Sequence, residues 1–183
     1  MPKDYLIINE HIKAEISGKG IAGIQKTDDL NRTEFIMPGE RFGAIDFIYV
    51  ADGEEYGFSS ADADFEAEYI ALPFDSYRIC FSHRSQHIDI SVTYRLDGDI
   101  LHQDILLRNH TAGEIRIRDF STHFPSNARF LWGESPAGRT LNHCFVGGHG
   151  SFVYTVRCDG QPPYLLSMPT GNTKFEFFDI LSR

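Results

Sequence analysis

The plainest pattern along the chain is the strict alternation of His87-Ile88-Asp89-Ile90-Ser91-Val92-Thr93-Tyr94-Arg95-Leu96, in which every second side chain is apolar. A strand turns successive side chains to opposite faces, so a period of two predicts a half-buried β-strand. Asp97-Gly98-Asp99 supplies a turn and Ile100 to Asn109 is strand-like again, which predicts an antiparallel hairpin. A second turn at Thr111-Ala112-Gly113 leads into the alternating Glu114-Ile115-Arg116-Ile117-Arg118, so the three stretches together read as a meander. The same texture recurs at Gly43 to Ala51, Phe65 to Leu72, Tyr77 to Ser82, Phe152 to Cys158 and Lys174 to Ile180. No long stretch places apolar residues at helical spacing between capping signals. Short strands at regular spacing predict an all-β protein: a two-sheet antiparallel β-sandwich with few or no helices.

Length and composition narrow this picture. At 183 residues, 42% of them hydrophobic, the chain fits one domain with one core, expected to span residues 1–183. The net charge is -9 and the Lys and Arg residues are not clustered, so no nucleic-acid partner is expected. The longest apolar runs, such as Tyr164 to Leu166, are too short to span a bilayer as a helix, and no membrane partner is expected either. The N-terminus lacks the apolar core of a secretory signal, which suggests a cytoplasmic chain or one whose signal has been removed. Cys80, Cys144 and Cys158 form neither a CxxC pair nor an even set, so free thiols in strands are expected. The C-terminal stretch Lys174-Phe175-Glu176-Phe177-Phe178-Asp179-Ile180 carries bulky apolar groups at both parities. A strand buried on both faces needs something packed over it, so a longer polypeptide or a partner is expected there.

The candidate chemistry is sparse. Eight histidines invite a metal, but no HxH or HExxH spacing occurs, and His83 and His87 bracket the turn-like Arg84-Ser85-Gln86; no metal or cofactor is expected. Carboxylates such as Asp28, Asp29, Asp62, Asp64 and Glu66 are plentiful, and none stands out by context as an acid–base pair. No GxSxG elbow is present, and His143 and Cys144 are adjacent strand residues that face opposite ways, so no catalytic residue is assigned. The most concentrated polar cluster runs from Asn142 and His143 through Gly147-Gly148-His149-Gly150. Its glycines permit a ligand-facing loop and equally a glycine-rich hairpin whose histidines bond loop carbonyls. Phe124 to Arg139 is a long irregular segment, where function would sit, and it carries Trp132 beside Arg129. Trp132 could stack on a sugar ring or plug the core beneath the loop.

The segment Gly20 to Ile36 with Gly43-Ala44-Ile45-Asp46-Phe47 resembles the opening strands of the galactose-mutarotase-like super-sandwich, the domain that precedes a six-hairpin (α/α)6 barrel in many bacterial glycoside hydrolases and some polysaccharide lyases. Gln103 to His110, Ile115 to Phe120 and Phe124-Pro125-Ser126-Asn127 are similar to its central strands, and His143 to Tyr154 with Pro163 to Leu166 to its closing part. The resemblance implies a non-catalytic N-terminal domain of a longer glycoside hydrolase, supporting a C-terminal helical catalytic domain and lending it a carbohydrate-binding loop. The residues expected to meet carbohydrate are Arg129, Trp132, Asn142, His143 and His149. Two alternatives stay open: a self-standing carbohydrate-binding module, and a sugar mutarotase or epimerase, for which His123 is a possible acid without an evident carboxylate partner.

Overall fold

A computed structural model describes residues 3–125, 127, 140–147, 150–157 and 163–167, with the backbone alone for much of the chain from residue 140 onward. The order of elements is β1 (Tyr5–Ile8), β2 (Ile12–Ser17), β3 (Gly20–Lys26), β4 (Ile45–Ala51), β5 (Glu54–Ser59), β6 (Glu66–Ala71), β7 (Tyr77–Arg84), β8 (Ile88–Asp97), β9 (Ile100–Asn109), β10 (Arg116–Thr122), β11 (Thr140–Gly147), β12 (Gly150–Arg157) and β13 (Tyr164–Ser167). Among the described residues no helix occurs and the paired strands run antiparallel. The strands are ordered β1-β2-β3, β10-β4-β5, β6-β7-β8-β9 and β11-β12-β13.

The first two sets are stitched into one layer. The N–H of Ile21 donates to the carbonyl of Phe42 at 2.7 Å and the Ile21 carbonyl accepts from the Phe42 N–H at 2.9 Å, while Gly43 and Ala44 pair with His123. The four-stranded β6-β7-β8-β9 sheet packs over this layer. Tyr5 of β1 lies against Phe81 and Tyr69 at ring separations of 5.8 and 6.0 Å, and Phe58 of β5 lies against Phe65 at 6.1 Å. One core results, drawing Ile7, Ile16 and Ile21 from one end of the first layer, Phe47 and Tyr49 from the other, and Ile79, Phe81 and Val92 from the facing sheet. Burying each such side chain contributes about 1.5–3 kcal/mol.

The β8 alternation is realised as predicted: Ile88, Ile90, Val92, Tyr94 and Leu96 are buried and the intervening residues are not. Tyr94 also ties the layers together, since Gln103 Nε2 donates both to its hydroxyl at 3.4 Å and to the Gly43 carbonyl at 2.8 Å. Burial pushes the Tyr94 phenol well above its ordinary range, so the group is neutral. Between β3 and β4 the chain is tied back by Glu34, whose carboxylate accepts from Ile24 N–H at 2.9 Å, Ile36 N–H at 3.0 Å and Gln25 Nε2 at 3.1 Å.

Two expectations change. The expected hairpin β8–β9 forms, with Asp97 opposite Ile100, but the third stretch does not continue a meander. It forms β10 and crosses to the other layer to pair with β4. The reason is local: Asn109 and Thr111 fold their side chains back onto the turn, with Asn109 Nδ2 donating to the Gly113 carbonyl at 2.7 Å. That turn directs the chain away from β9. The second change is β5, a strand after Asp52-Gly53 that supplies Tyr56 and Phe58 to the packing.

Candidate functional site

The outward face of β10-β4-β5 is where polar side chains converge. Along β4, Ile45, Phe47, Tyr49 and Ala51 turn into the core, which leaves Asp46 and Ile48 on the other face. The register places Ser121, Asp46 and Ser59 in one row across the three strands and Asp119, Ile48 and Gly57 in the next. The row between them, turned to the opposite face, sets Phe47 between Phe58 at 4.9 Å and the partly exposed Phe120 at 6.0 Å, an aromatic run beneath the site. With Asp62 from the turn after β5, these residues enclose a depression of about 370 Å³ whose floor is Ile48 and the side-chain-free Gly57.

A β-bulge aims the acidic groups. Ile117 pairs with Tyr49 and Asp119 with Ile48, so Arg118 is the extra residue. Without it Asp119 would stand opposite Phe47 and Phe120 opposite Asp46. The bulge reverses that parity and frees Arg118 to reach Glu55 at 2.9 Å.

His123 stands on the same face, two residues beyond Ser121. Its backbone continues the β10–β4 ladder, donating to Ala44 at 2.8 Å and accepting from Gly43 at 2.9 Å, and its Nε2 is hydrogen-bonded to Asp46 Oδ2. A carboxylate at Nε2 makes that nitrogen the N–H donor of the pair. The arrangement offers three carboxylates (Asp46, Asp62 and Asp119) and two serine hydroxyls around an apolar floor, with the His123 imidazole bonded to Asp46 beside it. That chemistry suits hydroxyl-rich neutral ligands: carboxylates accept from hydroxyl groups, and Ile48 offers an apolar surface. It disfavours polyanions, which the three carboxylates would repel. Among the described residues no group of three or more His, Cys, Asp or Glu has the arrangement of a metal site.

Three other described histidines, His83, His87 and His110, make ordinary contacts. His83 Nδ1 meets the Asp64 carbonyl at 3.0 Å and His110 Nε2 the Ser85 carbonyl at 2.9 Å. His87 is buried, with Nδ1 3.4 Å from the Tyr49 hydroxyl and its ring 4.6 Å from that of Tyr56. Cys80 is a free thiol on β7, 3.4 Å from the Thr93 hydroxyl.

Of the residues expected from sequence to meet carbohydrate, Arg129, Trp132 and His149 lie outside the described residues, as does the apolar stretch 174–180. Asn142 and His143 are placed by their backbone alone, opposite Thr155 and Tyr154 in the β11–β12 pair. The pairing of β11 with β12 ends with Gly147 opposite Gly150. Asp46 is the carboxylate that sequence reasoning did not find for His123. A signal for its neighbours was present: the apolar parity of β10 switches from Ile115 and Ile117 to Phe120, which marks a bulge and turns Asp119 and Ser121 outward.

No family model and no curated protein matches the chain. Among solved structures it is similar to a polysaccharide lyase, with a TM-score of 0.64 and 14% sequence identity. The superposition covers 91% of this chain and 24% of the lyase, so the chain spans about a quarter of that protein's length. At this identity the similarity is one of fold: an antiparallel β-sandwich shared with one portion of a carbohydrate-active enzyme.

Proposed function

We propose that this chain is a non-catalytic β-sandwich domain of a carbohydrate-active enzyme, of the galactose-mutarotase-like super-sandwich type, which supports a helical catalytic domain and offers it a saccharide-binding surface. The observation that carries this reading is the fold shared with a polysaccharide lyase over 91% of the chain but only 24% of the lyase. The binding surface is the outer face of β10-β4-β5, with Asp46, Asp119 and Ser121 accepting from or donating to sugar hydroxyls over Ile48. Arg129, Trp132, Asn142, His143 and His149, the residues expected from sequence to meet carbohydrate, are part of the same proposal. The carboxylates make the ligand a neutral saccharide. Titration calorimetry against a panel of neutral oligosaccharides tests this. Binding that is lost in Asp46→Ala is expected, and no heat with any member of the panel contradicts it.

The hydrogen bond between His123 and Asp46 favours a second reading, a mutarotase or epimerase acting on a free sugar. In it His123 exchanges a proton with the ring or anomeric oxygen while a neighbouring carboxylate serves the other oxygen. Polarimetry of anomer interconversion decides the matter, because a rate equal to that in buffer disposes of this reading and leaves the first intact.

A further inference from the structure

The hairpin between β6 and β7 holds an aromatic ring in a way that neither folding nor packing explains. Leu72 N–H donates to the Ser76 carbonyl at 2.9 Å and closes a loop of Pro73, Phe74 and Asp75. Phe74 has φ 63° and Asp75 φ 56°, two consecutive residues in the left-handed region where glycine or asparagine ordinarily stands. The same Phe74 is 99% exposed. A single exposed apolar side chain is ordinary. One that is also held in a disfavoured backbone conformation is not, and such strain gathers where ligands are clamped.

Phe74 stands at the rim of a second depression, of about 480 Å³, lined by Asn9, Glu10, His11, Ser76, Tyr77 and Asp97. Its walls are fixed. Asn9 Nδ2 donates to the Gly98 carbonyl at 2.7 Å, tying the β1–β2 turn to the β8–β9 turn, and Asn9 Oδ1 accepts from His11 and Ile12 N–H at 2.9 and 2.8 Å. Tyr77 stacks on Tyr69 at 6.1 Å. The charges also sort themselves: Glu10 pairs with His11 at 3.2 Å and Asp97 with Arg95 at 3.0 Å, while Asp75 beside the ring has no hydrogen bond or ion pair among the described residues. An exposed apolar ring, an uncommitted carboxylate next to it and a rigid polar depression match a ligand with one apolar face and a rim of hydroxyl donors. An anionic ligand would meet Asp75, Glu10 and Asp97 as like charges.

We propose that Phe74 and Asp75, with the adjoining depression, form a separate binding site for a neutral saccharide. Phe74 stacks on the apolar face of a pyranose ring and Asp75 accepts from its hydroxyls. The proposal rests on the carbohydrate reading above, although the two can fail separately. The test follows backbone amide shifts by NMR in the whole chain during titration with gluco-, xylo-, manno- and galacto-oligosaccharides, and with an oligogalacturonate as the anionic control. Phe74→Gly and Phe74→Trp are measured alongside. Shifts are expected at residues 74–76 and 9–11, weakened about tenfold in Phe74→Gly, equivalent to about 1.4 kcal/mol, and retained in Phe74→Trp. Because glycine accepts the positive φ, Phe74→Gly is expected to raise the thermal midpoint, so its loss of binding cannot be a loss of fold. Shifts confined to β4, β5 and β10, or equal affinity in Phe74→Gly, overturn this site and leave the carbohydrate reading standing. No shift with any neutral oligosaccharide overturns both. Tighter binding of the oligogalacturonate overturns the ligand class.

Discussion

Replacing Gly20 by alanine probes the stitch that makes one layer of β1-β2-β3 and β10-β4-β5. Gly20 has φ 129°, and a Cβ there would lie 2.6 Å from the Phe42 carbonyl oxygen, 3.0 Å from the Ala44 nitrogen and 3.3 Å from the Arg41 Cβ. The first two are backbone atoms, so relief requires moving the 42–44 segment. That movement strains the reciprocal Ile21–Phe42 hydrogen bonds, each worth about 1 kcal/mol. The positive φ itself adds about 1–2 kcal/mol for a residue with a Cβ. Together these give a destabilisation of about 3–4 kcal/mol. Gly53→Ala is the control, because its φ is 81° and nothing lies within 4 Å of the added Cβ. It incurs only the conformational term, partly offset by the stiffer unfolded chain. Urea unfolding at neutral pH, followed by far-UV circular dichroism with the slope checked for constancy, should separate the two variants by about 2 kcal/mol. Equal destabilisation by both would refute the close approach of Gly20 to Phe42.

Other outcomes follow from the same contacts. Burial, the largest influence on Glu34, pushes its carboxyl above the ordinary value of 4.5, against the opposing hydrogen bonds from Ile24, Ile36 and Gln25. A carboxyl raised in the folded state loses stabilising influence as pH rises from its unfolded value through its folded one. Glu34→Gln does not titrate, so its stability relative to wild type should increase across that window, and urea midpoints differing by a pH-independent amount would contradict the reasoning. Leu96→Ala, at a fully buried position of β8, should cost about 2–5 kcal/mol in the same assay. Tyr49→Phe removes the hydroxyl 3.4 Å from His87 Nδ1 and should cost about 1 kcal/mol; no change in the urea midpoint would show that this buried contact is not a working hydrogen bond.

The architecture was legible where burial is one-sided. In β8 the alternation of Ile88 through Leu96 is a direct image of one face packed and one face not, and the hairpin to β9 follows from Asp97-Gly98. The path of β10 was not legible, because the turn that redirects it and the strand it pairs with depend on contacts that exist only in the folded chain, Asn109 on Gly113 and Phe120 on Phe47. For the same reason Asp46 read as one acid among many. Only the register that sets it opposite Ser121 and beside His123 distinguishes it from Asp28 or Asp64. Phe74 was invisible for a different reason: Pro73-Phe74-Asp75-Ser76 reads as a common turn, and its positive φ values and full exposure exist only in the folded hairpin.

The central claim is that a neutral saccharide lies on the outer face of β10-β4-β5. Amide hydrogen–deuterium exchange, read with and without each neutral oligosaccharide, addresses it directly. A bound saccharide should slow exchange in β4, β5 and β10 around Asp46, Ile48, Ser59 and Ser121, an effect abolished in Asp46→Ala. Unchanged exchange across these three strands with every saccharide would contradict it.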